Sequence, residues 1–253
     1  MTAVTAGHLA GLTAAVLVGA GTQRITGLGF ALVASPFIVL LTDPFNGVLL
    51  VNACGMVTAL VVLVQVWRDV DTGRAGRLLV PALLTVPAGA WVARHLAAPL
   101  LAVLVGGLVL LALAAVLVAA RFRRPGETSG AATGGRRGAL LAGAGSGFMN
   151  VTAGVGGPAL TVYAISTGWP QRSFAATAQL VFAALGAASL AAKGAPPSLP
   201  PAGWVAVGAA LLVGVVAGDR LAGRVPAQRA RQAVVILALA GAAITVGKGV
   251  VQL

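Results

Sequence analysis

Charge is scarce in this chain. Charged residues make up 9% of its 253 positions, and only 5 of them are acidic. A soluble domain usually carries about 25% charged residues to cover its surface. Hydrophobic residues reach 58% and mean hydropathy is +0.98, so the surface is expected to face lipid. The single cysteine, Cys54, excludes an internal disulfide and any cysteine-based metal site. Aromatics are 5% of the chain and no basic stripe is interleaved with them, which argues against nucleic acid despite a net charge of +12. No acidic residue sits well inside an apolar run, where a cation pump or proton relay would want one. No metal-site, phosphate-loop or nucleophile–base pattern is present either, so no enzyme, metal or cofactor is expected.

What is present is a series of long apolar runs. A helix needs roughly 20 apolar residues to cross a bilayer, and only helices and closed barrels satisfy the backbone there. Barrel strands alternate polar and apolar; the run 100–120 is apolar on every face. An all-α polytopic membrane protein follows. Runs fall at 6–22, 27–42, 45–67, 76–95 and 97–120, then at 139–151, 154–168, 172–193, 202–221 and 229–251. Residues before Gly11 include no lysine or arginine, unlike a secretory leader, so the first run is expected to stay as a helix.

A basic stretch rich in glycine, serine and threonine, 121–138, divides the chain. It reads as a solvated cytoplasmic linker between a first transmembrane repeat, 1–120, and a second, 139–253. Gly19-Ala20-Gly21-Thr22 is echoed by Gly143-Ala144-Gly145-Ser146, and Thr26-Gly27-Leu28-Gly29 by Ala153-Gly154-Val155-Gly156. Pro44 has a counterpart in Pro170, and Ala88-Gly89 in Ala217-Gly218. Such internal symmetry marks duplicated transporters. Each half is expected to open on a glycine-rich broken or re-entrant helix and to continue with three membrane helices. Basic loops at 68–77, 121–137 and 220–231 share one side only if the halves are inverted, and the positive-inside rule favours that over a parallel repeat.

The two glycine-rich breaks, 19–30 and 143–158, carry the functional reading. Unwound backbone at membrane depth is tolerated only where protein or an aqueous cavity lines it. It leaves helix N-termini that suit an anion; the competing reading is close helix packing through small residues. Candidate binding residues are the break backbones at Gly27, Gly29, Gly154, Gly156 and Gly157, and the flanking Thr26, Ser35, Asn150 and Thr152. Arg24, inside the first break, could pair with an anion, or reach from a helix end to the interface. Asn52 and Gln179 hold matched places in the helix after each break. Asp43 reads as a helix cap, and the four tryptophans sit at run ends as interfacial residues do.

The duplicated halves, the stretch from Gly143 to Pro158 and the segment Ala217–Pro226 before a last apolar helix resemble the sulfite exporter TauE/SafE family over nearly the whole chain. The first half departs from the pattern: Phe30 stands where the second has Gly157, and Pro36 comes later than Pro158. The resemblance implies a multi-pass transporter of sulfite or an organosulfonate in a bacterial plasma membrane. Its expected partners are a small anionic substrate and the lipid bilayer, with a homo-oligomer left open. A channel-like or scaffold subunit of a membrane complex is the alternative.

Overall fold

Residues 6–26, 29–121 and 135–253 of the computed structural model are described, and among them every regular element is a helix. The first half contains α1 (Ala6–Thr26), α2 (Gly29–Leu41), α3 (Pro44–Val66), α4 (Thr72–His95) and α5 (Ala98–Arg121). The second contains α6 (Arg136–Ala153), α7 (Gly157–Thr167), α8 (Gln171–Lys193), α9 (Pro201–Ala222) and α10 (Ala227–Val251). These bounds follow the apolar runs to within a few residues. Of the linker, Arg121 closes α5 and Arg136 to Gly138 open α6; 122–134 lie outside the described residues.

Starts and stops have local causes. Asp43 caps α3, its Oδ1 accepting from the Asn46 N–H at 2.8 Å, with Pro44 at the first helical position. Asp71 caps α4 in the same way through Arg74 at 2.9 Å. Six stretches are long and apolar enough to cross a membrane: Pro44–Asp69, Thr72–His95, Ala98–Arg121, Gln171–Lys193, Pro201–Ala222 and Gln228–Val251. The chain is a multi-pass membrane protein. By contrast α2 and α7, of 13 and 11 residues, are too short to span alone. Each folds back on the helix before it. Gly11 faces Leu41 and Gly19 faces Ala34 in the first hairpin; Gly145 faces Ala159 in the second.

Helix directions follow from the contacts. Asn46 meets Ser198, Asn52 meets Ser189 and Asp69 meets Arg172, so α3 and α8 are antiparallel. Gly106 lies against Ala242, and Gly249 against Pro99, so α5 and α10 are antiparallel too. Meanwhile α4 runs parallel to α6 and α9 parallel to α1, with Leu78 at Gly143, Ala82 at Gly147, Leu17 at Gly214 and Arg24 at Gly218. The turns 67–71 and 223–226 and the linker-side ends of α5 and α6 therefore meet at one end of the bundle, which we call the basic end.

The breaks are narrower than the sequence suggests. Gly19, Gly21, Gly143, Gly145 and Gly147 are helical, and the second break is confined to 154–156. Lipid tails are as apolar as the helices, so no hydrophobic drive pushes helices together; close backbone approach does the work instead. A Cβ at Gly147 would lie 2.0 Å from the Ala82 carbonyl oxygen, and one at Gly143 2.3 Å from that of Leu78. Gly147→Leu is thus expected to force α6 off α4, an overpacking of about 3 kcal/mol or more. Gly107→Leu, with nothing within 4 Å of its Cβ, should be neutral. Yield and melting temperature of the detergent-purified variants check this. The tryptophans also divide: Trp67, Trp91 and Trp204 are exposed, but Trp169 is buried beneath Arg74, whose guanidinium carbon is 4.7 Å from its ring centre.

Candidate functional site

The break in the second half sets the geometry. Gly154 stops α6 in the left-handed region at φ 75°, its N–H bonding the Asn150 carbonyl at 2.7 Å while Val155 reaches back to Met149 at 3.2 Å. This is a left-handed αL stop that glycine adopts without strain. Gly156 then precedes α7 with no side chain to cap its first turn, and Pro158 sets the helix's opening φ. The α7 N-terminus therefore presents free N–H groups and a partial positive charge.

A partly enclosed cavity of about 40 Å³ lies at this N-terminus. A water needs roughly 10–15 Å³ on the same measure, so the space holds about three waters or one compact oxyanion. Gly154 to Pro158 form one wall. Asn150 of α6, Asn52 and Met56 of α3, Phe182 and Gly186 of α8, Phe30 at the head of α2 and Gln23 of α1 complete it. Among the described residues no charged side chain lines it.

Four amides converge here in two equivalent pairs. Gln23 and Asn150 each stand fourth from the end of α1 and α6; Asn52 and Gln179 are each ninth in α3 and α8. Gln23 donates from Nε2 to Gln179 Oε1 at 3.2 Å across the halves. The shorter equivalents, Asn150 and Asn52, both reach the cavity, and the Oδ1 of each is buried without a hydrogen-bond partner, as is Ser146 Oγ. Leaving such an atom unpaired costs about 1–3 kcal/mol, a penalty that a hydrogen-bond donor in the cavity would relieve. Asn52 Nδ2 donates to Ser189 Oγ at 2.7 Å. A hydroxyl serves either end of an amide, so a half-turn of Asn52 would present N–H to the cavity and keep that bond.

Of the residues singled out from sequence, Asn52, Asn150, Gly154, Gly156 and Gly157 line this cavity, and Gln179 borders it through Gln23. Ser35 is buried elsewhere, donating to the Ala153 carbonyl at 2.6 Å and so tying α2 to the end of α6. Thr152 bonds back within α6, to the Phe148 carbonyl at 2.7 Å. Gly27 lies outside the described residues; Thr26 closes α1 and Gly29 opens α2. Gln23 flanks the first break, and its equivalence to Asn150 is the signal that finds it.

Arg24 lies apart from the cavity. Its guanidinium pairs with Asp219 of α9 and donates to Gln65 of α3. It lines a vestibule of about 400 Å³ at the basic end, together with Gln23, Gln65, Asp69, Arg172 and Gln179. Arg172 is ion-paired there with Asp69 at 2.8 Å. Both arginines are compensated, and the Gln23–Gln179 bond stands between vestibule and cavity. Among the described residues no cluster of three or more His, Cys, Asp or Glu is placed to hold a metal.

Compared with known families, residues 11–245 match the family described as Sulfite exporter TauE/SafE. No curated protein and no solved structure matches the chain.

Proposed function

Because the chain belongs to the sulfite exporter TauE/SafE family, a family of membrane transporters, we propose that it is a secondary transporter of a small anion, sulfite or an organosulfonate, in the plasma membrane of a bacterium. The observation that carries this reading is the uncapped α7 N-terminus facing a partly enclosed cavity, with no charged side chain among its described lining residues, beside two asparagines whose Oδ1 atoms lack a partner. Helix N–H groups and amides bind an oxyanion without a fixed cation, so the anion is held weakly enough to leave again. The same features give a cation nothing but isolated amide oxygens.

The two halves act as inverted repeats in this reading, supported by the antiparallel course of α3 against α8 and of α5 against α10. The basic end is then cytoplasmic. The amide pairs are the gates of an alternating-access cycle: Gln23 with Gln179 closes the cytoplasmic approach, and Asn150 with Asn52 governs the other. The anion itself bridges the shorter pair. Inversion puts one pair on each side of a midplane site, as duplicated transporters require.

Proteoliposome flux tests the proposal, with sulfite, thiosulfate, sulfoacetate, sulfolactate and taurine as the panel. Saturable uptake of at least one anion, accelerated by the same anion on the far side, is the expected result. Flux that only follows the gradient would mean a channel, and no anion flux would overturn the reading.

A further inference from the structure

The seam between α3 and α8 runs from the vestibule past the cavity to the opposite end of the bundle, and its two mouths are equivalent but differently charged. The second residue of α8 is Arg172 and that of α3 is Phe45; the last residue of α8 is Lys193 and that of α3 is Val66. Equivalent positions thus exchange a cation for an apolar side chain, leaving one cation at each mouth. At the basic end Arg172 is neutralised by Asp69. At the other end Lys193 is only 3% exposed, and its Nζ has no hydrogen-bond partner.

An ordinary role for a lysine there is to cap the helix, its ammonium bonded to the last carbonyls. Lys193 does not do this. Its Nζ lies 5.5 Å from the centre of the Phe45 ring, and Lys193 lines an open cleft of about 390 Å³. Arg94 lines the same cleft and donates to the Ala192 carbonyl, which leaves other N–H groups of its fork free. Asp43 lines it as well, its Oδ1 accepting from the Asn46 N–H at the start of α3. A buried ammonium is costly unless an anion compensates it, and among the described residues no anion hydrogen-bonds to this one.

We propose that Lys193 and Arg94 form a second anion site at this mouth, the station an oxyanion occupies before or after the central cavity. It rests on the anion-transport reading and takes the same class of ligand: a compact sulfite or sulfonate group that accepts from the ammonium and the guanidinium together. On α8, Lys193 lies one helical turn beyond Ser189, which holds Asn52 at the cavity wall. The two stations therefore share one helix face.

Equilibrium binding of radiolabelled sulfite to the purified full chain tests this. Wild type is expected to bind about two equivalents, Lys193→Gln about one and Lys193→Arg about two, because an arginine keeps the charge and donors. Asn150→Asp, which fills the central cavity with a carboxylate, is expected to leave the equivalent at Lys193. If wild type binds about one equivalent that Lys193→Gln retains, the second site is overturned and the central one stands. If the only equivalent is lost in Lys193→Gln and kept in Asn150→Asp, the central reading fails instead. No binding by wild type of sulfite or of any other anion of the flux panel sinks both. Should Lys193→Gln not give folded protein, Lys193→Met, which keeps the length of the stem, is read in the same way.

Discussion

Asn150→Asp is expected to lower sulfite flux about a hundredfold or more at neutral pH while the melting temperature holds or rises. The substitution keeps shape and exchanges an amide for a carboxylate. Asn150 is 7% exposed and its Oδ1 has no hydrogen-bond partner. A fixed negative charge about 5 Å from the anion, at an effective dielectric constant near 20, opposes it by about 3 kcal/mol, or roughly two powers of ten. The new carboxylate also accepts from the uncapped N–H groups of α7, so it stabilises the helix that the anion would otherwise stabilise. Opposite changes in flux and stability separate this outcome from damage to the fold, which would lower both. A cavity that served cations would give the reverse, with flux held or increased. Flux into proteoliposomes and melting in detergent, measured on the same preparation, decide it.

How far such a site can be read from sequence depends on where each residue's partner lies. The left-handed stop at Gly154 and the start at Pro158 are local consequences of glycine and proline, and the sequence carries them fully. Asn52 and Gln179 are legible for another reason: each is the ninth residue of its helix, and the echoed motifs around them line the two up. Arg24 is not legible in this way. Its depth in an apolar run is plain, but its partner Asp219 is 195 residues away, and no periodicity connects them. Ser35 and Thr152 have hydroxyls like any candidate ligand, yet both are satisfied by nearby carbonyls once the chain packs. Gly19 and Gly143 look like breaks because glycine weakens an isolated helix. Packed against Ala34 and Leu78, they allow a closeness no side chain would permit, and the helix continues.

Gly154→Val is expected to abolish flux and to lower the melting temperature by several degrees. Gly154 has φ 75° and ψ 1°, a conformation that costs an L-residue roughly 1–2 kcal/mol and a β-branched one more. Strain alone would not stop transport, and Gly168 provides the control. It is also left-handed, at φ 61°, but a Cβ there meets nothing within 4 Å, so Gly168→Ala should lose only that strain and keep its flux. At Gly154 the Cβ would lie 2.5 Å from Val51 Cγ1 and 3.1 Å from Val51 Cβ. Val51 is 1% exposed and adjoins Asn52, so it moves only by carrying that part of α3 with it. The collision therefore spreads the cavity wall, separating Asn52 from Ser189 and from the α7 N-terminus together. Val51→Ala removes the Cγ1 methyl, the closer of the two colliding atoms, so adding it to the milder Gly154→Ala should restore part of the flux that Gly154→Ala loses. Failure of that rescue, or full flux in Gly154→Val, would mean that the anion does not pass this corner. With the rescue, the corner is part of the route, and its glycine is required by the approach of α3 as well as by the turn.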